Sequence, residues 1–130
     1  MSELARFLFQ KGHYSRGNQA VRPGAFLPKD GQTSVFDIVD LDEAGVIQIG
    51  DAVGEHRGKP PHGRGEFDQS HVIEVGLQFE RDDAPPRHGN LVGWPSAGPE
   101  AKARSKAITV ALAARAKLIL YEQRQASDNV

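Results

Sequence analysis

The sequence predicts an α+β protein: a small, mostly antiparallel sheet packed against two helices. Three observations carry this. Short runs of β-branched and aromatic residues are set apart by glycine and proline. An alanine-rich stretch over residues 99–123 shows helical spacing. No internal repeat or low-complexity linker divides the 130 residues. They suit one domain over 1–125 with a frayed tail over 126–130.

Residues 5–10 read as the first strand, with Phe7 and Phe9 on one face and Leu8 on the other. Glycines and prolines from Gly12 to Gly31 then punctuate a long loop. So long a connection in a small domain is often functional. Val35, Phe36, Ile38 and Val39 mark a second strand over 33–39. A helix over 41–55 follows. Asp40 is placed to cap it, Glu43 stands three residues on as a capping box requires, and Val46, Ile49 and Val53 recur at helical spacing. The run 46–49 also fits a short strand, because Gly45 and Gly50 each cost a helix about 1 kcal/mol relative to alanine.

The segment 54–65, GEHRGKPPHGRG, reads as a basic loop. His71, Ile73, Val75, Leu77 and Phe79 alternate with polar residues and predict a strand over 71–79, although Val72 and Gly76 dilute the polar face. A turn at 81–87 and a short strand over 90–94 precede Pro99, which suits the opening of a long helix over 99–123. Ile108, Leu112 and Ile119 would form its buried stripe.

Composition narrows the function classes. The cysteine count is zero, which excludes disulfides, thiolate metal sites and cysteine nucleophiles. The apolar stretch at the N-terminus is too short and too charged for a signal peptide, and no run reaches the roughly 18 apolar residues of a membrane helix. The expectation is a protein of the reducing cytoplasm with no membrane partner. Sixteen basic residues balance seventeen acidic ones, whereas a dedicated nucleic-acid binder is usually more basic. The charges lie in blocks: Lys11, Arg16, Arg22 and Lys29 in the first loop, six acids over 37–55, then Arg57, Lys59 and Arg64. Such blocks produce local fields of one sign.

Two blocks stand out. One is Arg22-Pro23-Gly24-Ala25-Phe26-Leu27-Pro28 with Thr33-Ser34-Val35-Phe36 behind it. The other is Arg87-His88-Gly89-Asn90-Leu91-Val92-Gly93-Trp94-Pro95 before the alanine-rich helix. Together they resemble a group of small, uncharacterised bacterial proteins with an AF-x-P…SV block and an H-x-N-x-x-GWP block. The resemblance covers most of the chain. It implies no catalytic residues, because no activity goes with the group.

The candidate sites therefore come from the residues. His88 and Asn90, two apart on an extended chain, share a face, and Trp94 could stack a ring beside them; equally, Trp94 could fill the core and close a structural corner. His13, Arg16 and Arg22 in the first loop, with Ser34 at the head of the next strand, suit a phosphate or carboxylate. A serine triad of Ser34, a histidine and an aspartate can be formed on paper, without the G-x-S-x-G elbow that would position it. Arg64 closes the glycine-rich basic loop, which suits a nucleic-acid backbone. The histidines and carboxylates match no metal-site spacing, and no dinucleotide or P-loop motif occurs, so no metal or cofactor is expected.

Two functions from different classes follow. One is a binding protein presenting Arg16, Arg22, Arg57, Lys59 and Arg64 to an anionic partner, either nucleic acid or an acidic protein surface. The other is a small enzyme on a nucleotide or phosphorylated substrate, with His13 or His88 as the acid–base group. The alanine-rich helix also leaves a homodimer open.

Overall fold

The computed structural model describes residues 2–121. Among them lie eight strands: β1 (Leu4–Leu8), β2 (Tyr14–Ser15), β3 (Ala20–Val21), β4 (Thr33–Asp37), β5 (Gly63–Phe67), β6 (Gln78–Arg81), β7 (His88–Val92) and β8 (Lys117–Leu120). The α-helices are α1 (Glu43–Arg57), α2 (Gln69–Glu74) and α3 (Ala101–Arg115). Six strands form one antiparallel sheet in the order β6-β7-β4-β1-β5-β8, and β2 with β3 makes a separate hairpin. No helix among the described residues is long and apolar enough to cross a membrane.

The alternation of β1 sends its side chains into two cores. Ala5, Phe7 and Phe9 join Phe36, Ile38 and Val46, and α1 covers that face. Leu4 and Leu8 join Phe26, Phe67, Leu91 and Leu112 on the opposite face, beneath α2 and α3. At Gly50 an added Cβ would lie 2.6 Å from the Phe7 ring, so glycine lets α1 settle onto the sheet.

The expected strands at 5–10, 33–39 and 90–94 and the helix at 41–55 are present with ends shifted by a few residues. The cap of α1 moves. Asp42 accepts a hydrogen bond from the Gly45 N–H at 2.8 Å, while Asp40 sits in a turn at φ 65°. Asp42 therefore satisfies one of the open N–H groups, and Glu43 turns to another partner, Arg64.

Three expectations are corrected. The run 71–79 is not one strand: α2 ends at a Gly76 of φ 83°, and β6 begins at Gln78. Val72 is buried and Ile73 is exposed, so burial there follows the helix and not the alternation. The long helix stops at Arg115, and Lys117–Leu120 becomes an edge strand on β5, since Leu118, Ile119 and Leu120 suit a sheet better than the alanines before them. The last residues of the expected helix and the tail at 126–130 fall outside the described residues. The expected basic loop at 54–65 is the last turn of α1 at its start and the first residues of β5 at its end, an inner strand paired on both sides. Gly63 and Gly65 make it look irregular in sequence, yet a Cβ at Gly63 would lie 2.3 Å from the Ile119 carbonyl, so the absent side chain is what admits β8.

Candidate active site

On β4, Ser34 and Phe36 point to the α1 face, because Thr33 and Val35 are committed to the opposite core. The register sets Ser34 opposite Asn90 and Phe36 opposite His88 on β7. Four side chains thus share one patch. The His88 ring stands edge-on to Phe36, with centroids 5.2 Å apart. Its Nε2 lies 2.7 Å from Ser34 Oγ, and its Nδ1 lies 2.7 Å from Asp82 Oδ1.

Asp82 is placed by the loop between β6 and β7. Its Oδ1 also accepts from the Ala84 N–H at 3.0 Å, and its Oδ2 faces the Asn90 amide at 3.4 Å. The Ala84 N–H and then His88 hold the Asp82 carboxyl below its ordinary range. The loop is tied down throughout. The Asp82 and Asp83 N–H groups both reach the His88 carbonyl at 3.0 Å. Asp83 accepts from Arg81 and from the Arg87 N–H, and Arg87 donates to the Val39 carbonyl at 3.0 Å. Asp83 at φ 51° and Arg87 at φ 71° adopt a backbone that side chains disfavour, here held by these bonds.

The chemistry follows from the donors. A carboxylate only accepts, so Nδ1 of His88 carries the proton that faces Asp82. In that tautomer Nε2 presents a lone pair, to which Ser34 Oγ–H can donate. This is a hydroxyl beside a base that a third group orients. Asp82 is 46% exposed, so its support is partly screened by water.

A cleft of about 570 Å³ opens beside Ser34 and His88. Phe36, Pro85 and Pro86 line it with them. α1 supplies the facing wall: Gln48, Ile49, Ala52 and Val53, then His56 and Arg57 in its last turn. The lining is mainly apolar with a few polar groups, and the volume is that of a small-molecule site.

Of the residues expected to matter, Ser34 and His88 line this cleft and Asn90 supports it through Asp82. The others do not converge there. Trp94 is 7% exposed, packs in the opposite core and donates to the Leu91 carbonyl at 3.1 Å, so it closes a structural corner. Arg16 and Arg22 are exposed on the hairpin side and line no part of the cleft. Arg64 is 2% exposed and held by Glu43, Glu66 and Tyr121, so it does not share a surface with Arg57 and Lys59. Burial disfavours its charge, but these hydrogen bonds outweigh that and raise its pKa. His13 lines no part of the cleft; burial and then the charge of Arg6 lower its pKa. His62, expected in a loop, is buried 2.9 Å from the Tyr14 hydroxyl. Among the described residues no three His, Cys, Asp or Glu side chains gather as metal ligands would.

Sequence reasoning missed Asp82 and Arg6, and it named Arg57 only as part of a basic surface. Asp82 is one acid in a run of two and carried no signal. Arg6 did carry one: it is the charged residue inside the apolar strand LARFL. Its Nε donates to the Ala25 carbonyl at 2.9 Å and its Nη1 to the Ser34 carbonyl at 2.8 Å. β1 and β4 pair only at Leu4–Asp37 and Ala5–Phe36, then diverge, and the Arg6 guanidinium spans the gap. Burial, and then Arg57, lower its pKa to about 10.

Comparison with protein-family models, with curated proteins and with solved structures finds no match to this chain.

Proposed function

We propose that this protein is a serine hydrolase of small esters. The reading rests on one observation: Ser34 Oγ, the His88 ring and the Asp82 carboxylate stand in line with two contacts of 2.7 Å, at the mouth of a mainly apolar cleft. The order of atoms is the one that activates a serine on unrelated folds, where geometry and not sequence position defines the triad.

In the first half-reaction Ser34 Oγ attacks the ester carbonyl carbon while its proton passes to His88 Nε2. Asp82 stabilises the imidazolium through Nδ1–H. The C–O bond to the alcohol breaks, and His88 returns the proton to the departing oxygen. In the second half-reaction His88 takes a proton from water, the hydroxide attacks acyl-Ser34, and the acid leaves as the serine regains its proton. The sum is ester plus water to acid plus alcohol. Gln48 lines the cleft from α1 and supplies an N–H donor for charge developing on the carbonyl oxygen.

Turnover of p-nitrophenyl butyrate, together with labelling by a fluorophosphonate, tests this. The expected result is steady hydrolysis and one phosphonyl adduct on Ser34, both lost in Ser34→Ala. Turnover that persists in Ser34→Ala, or a wild-type protein that neither hydrolyses nor labels, refutes the proposal.

A further inference from the structure

The two ends of the cleft differ. Along α1 the lining runs from Gln48 to Arg57, a span of about 13 Å at helical rise. Its middle is apolar, with Ile49 and Val53 facing Phe36; its last turn is cationic or titratable, with Arg57 and His56. Ser34 lies between these ends. Ala5 is opposite Phe36, so Ser34 is level with Phe7, and the Arg57 guanidinium sits 4.4 Å over Phe9, one step further along β1. Stacking on Phe9 fixes the plane of the guanidinium while leaving its N–H edge to hydrogen-bond.

Other cations stand behind Arg57. Arg6 lies on the face of β1 away from α1, where its hydrogen bonds go to the Ala25 and Ser34 carbonyls, and its charge and that of Arg57 act on one another. Arg6, Arg57 and Lys59 all act on His13. Among the described residues no carboxylate forms an ion pair with Arg6, Arg57 or Lys59, whereas Arg64 and Arg81 each have two and Arg87 has one. At this end of the cleft the Arg57 guanidinium is therefore open to an external anion, with Glu55 and Asp51 lying beside Lys59.

We infer that the ester carries an anionic group, a phosphate or a carboxylate, held by Arg57 with His56 at the end of α1, while its apolar part lies along Phe36, Ile49 and Val53. The inference rests on the hydrolase reading for the word ester, but the anion site is testable without turnover. The scissile bond would lie over Ser34, between the apolar and the charged halves. A bidentate guanidinium contact suits either anion.

Calorimetric titration with monobutyl phosphate, pentanoate and neutral butan-1-ol tests it on the wild type, Ser34→Ala, Arg57→Gln and Arg57→Lys. Arg57 is exposed, so its replacement leaves the cores intact. At least one anion should bind the wild type and Ser34→Ala alike and bind Arg57→Gln about tenfold more weakly, as loss of a charge-assisted contact implies. Arg57→Lys should fall between, because it keeps the charge and loses the fork. The anion that binds more tightly identifies the group. Equal binding to Arg57→Gln, equal binding of butan-1-ol, or binding of none of the three overturns the inference. Undiminished ester hydrolysis by Ser34→Ala would instead remove the triad and leave the binding result standing.

Discussion

Arg6 donates to the Ser34 carbonyl at 2.8 Å across a gap where their strands no longer pair. A side chain thus takes the place of a backbone ladder directly beneath the proposed nucleophile. The Ala25 carbonyl is served by the same guanidinium, which ties the long first loop to the sheet. Arg6→Met leaves two carbonyls without this donor and should cost about 2–4 kcal/mol, read as a fall in the urea midpoint. Arg6→Lys cannot serve both carbonyls in one plane and should recover only part of that. Full stability in Arg6→Met would show that the strands close up without the bridge.

The triad members should fail in different ways. Ser34→Ala removes the nucleophile and should abolish turnover while changing stability by less than about 1 kcal/mol. Asp82→Asn removes the group that fixes the His88 tautomer. Where the acid is buried such a change costs about 10⁴-fold in kcat. Asp82 is half exposed, so we expect about 10²-fold or more. Asn90→Ala loses a single 3.4 Å contact to Asp82 and should lower kcat/KM only a few-fold. A kcat series on p-nitrophenyl butyrate in the order Ser34, Asp82, Asn90 is the expected result; equal losses at all three would point to a general loss of structure.

Local patterns made the first half of the fold legible. The strands around Phe7 and Val35 and the helix around Val46 and Ile49 have periodicity and burial that agree. The second half was harder, because tertiary pairing decides it. His71 to Phe79 alternates like a strand, but Gly76 divides it into a helix and a strand. Lys117–Leu120 continues a helical alanine stretch in sequence and leaves it in space, because β5 offers an open edge. At the site, Ser34, His88 and Asn90 stood out as unusual polar residues in apolar surroundings. Their convergence depends on the β4–β7 register, and Asp82 joins them only through loop bonds that no spacing encodes.

The place of β8 has its own test. An added Cβ at Gly63 would meet the Ile119 carbonyl at 2.3 Å and Leu120 Cα at 2.9 Å, both backbone atoms that cannot swing aside. Gly63→Ala should part β5 from β8 and cost about 3 kcal/mol. Hydrogen exchange would then speed up at Lys117 to Leu120 before it does in β4 and β7. Unchanged protection there would place those residues elsewhere.

Arg64 explains a cost that its sequence neighbours conceal. Buried at 2% exposure, it needs its carboxylates. Glu66 is largely buried, so Glu66→Gln leaves part of a buried charge unmet and should cost about 3 kcal/mol. Glu43 is 59% exposed, and its contact is screened, so Glu43→Gln should cost about 1 kcal/mol. Urea unfolding of both variants decides the order, and a larger loss at Glu43 would reverse the assignment.

His13 supplies the pH dependence near neutrality. Burial lowers its pKa first; Arg6 on β1, Arg57 at the end of α1 and Lys59 beyond it lower it further. The unfolded chain then binds a proton more readily than the folded one. Above the unfolded value, about 6.5, both states are neutral at this site and it contributes nothing. As pH falls through that value the unfolded state is protonated first, so stability drops until the folded value is passed. Glu43 has its pKa lowered by its Arg64 hydrogen bond, so its contribution is present above the unfolded carboxyl value and disappears at a lower pH as the folded one is passed. The wild-type urea midpoint should therefore decline between pH 7.5 and 5, and His13→Gln should flatten that decline while leaving the more acidic limb in place. The same slope in both proteins would assign the proton uptake to another group.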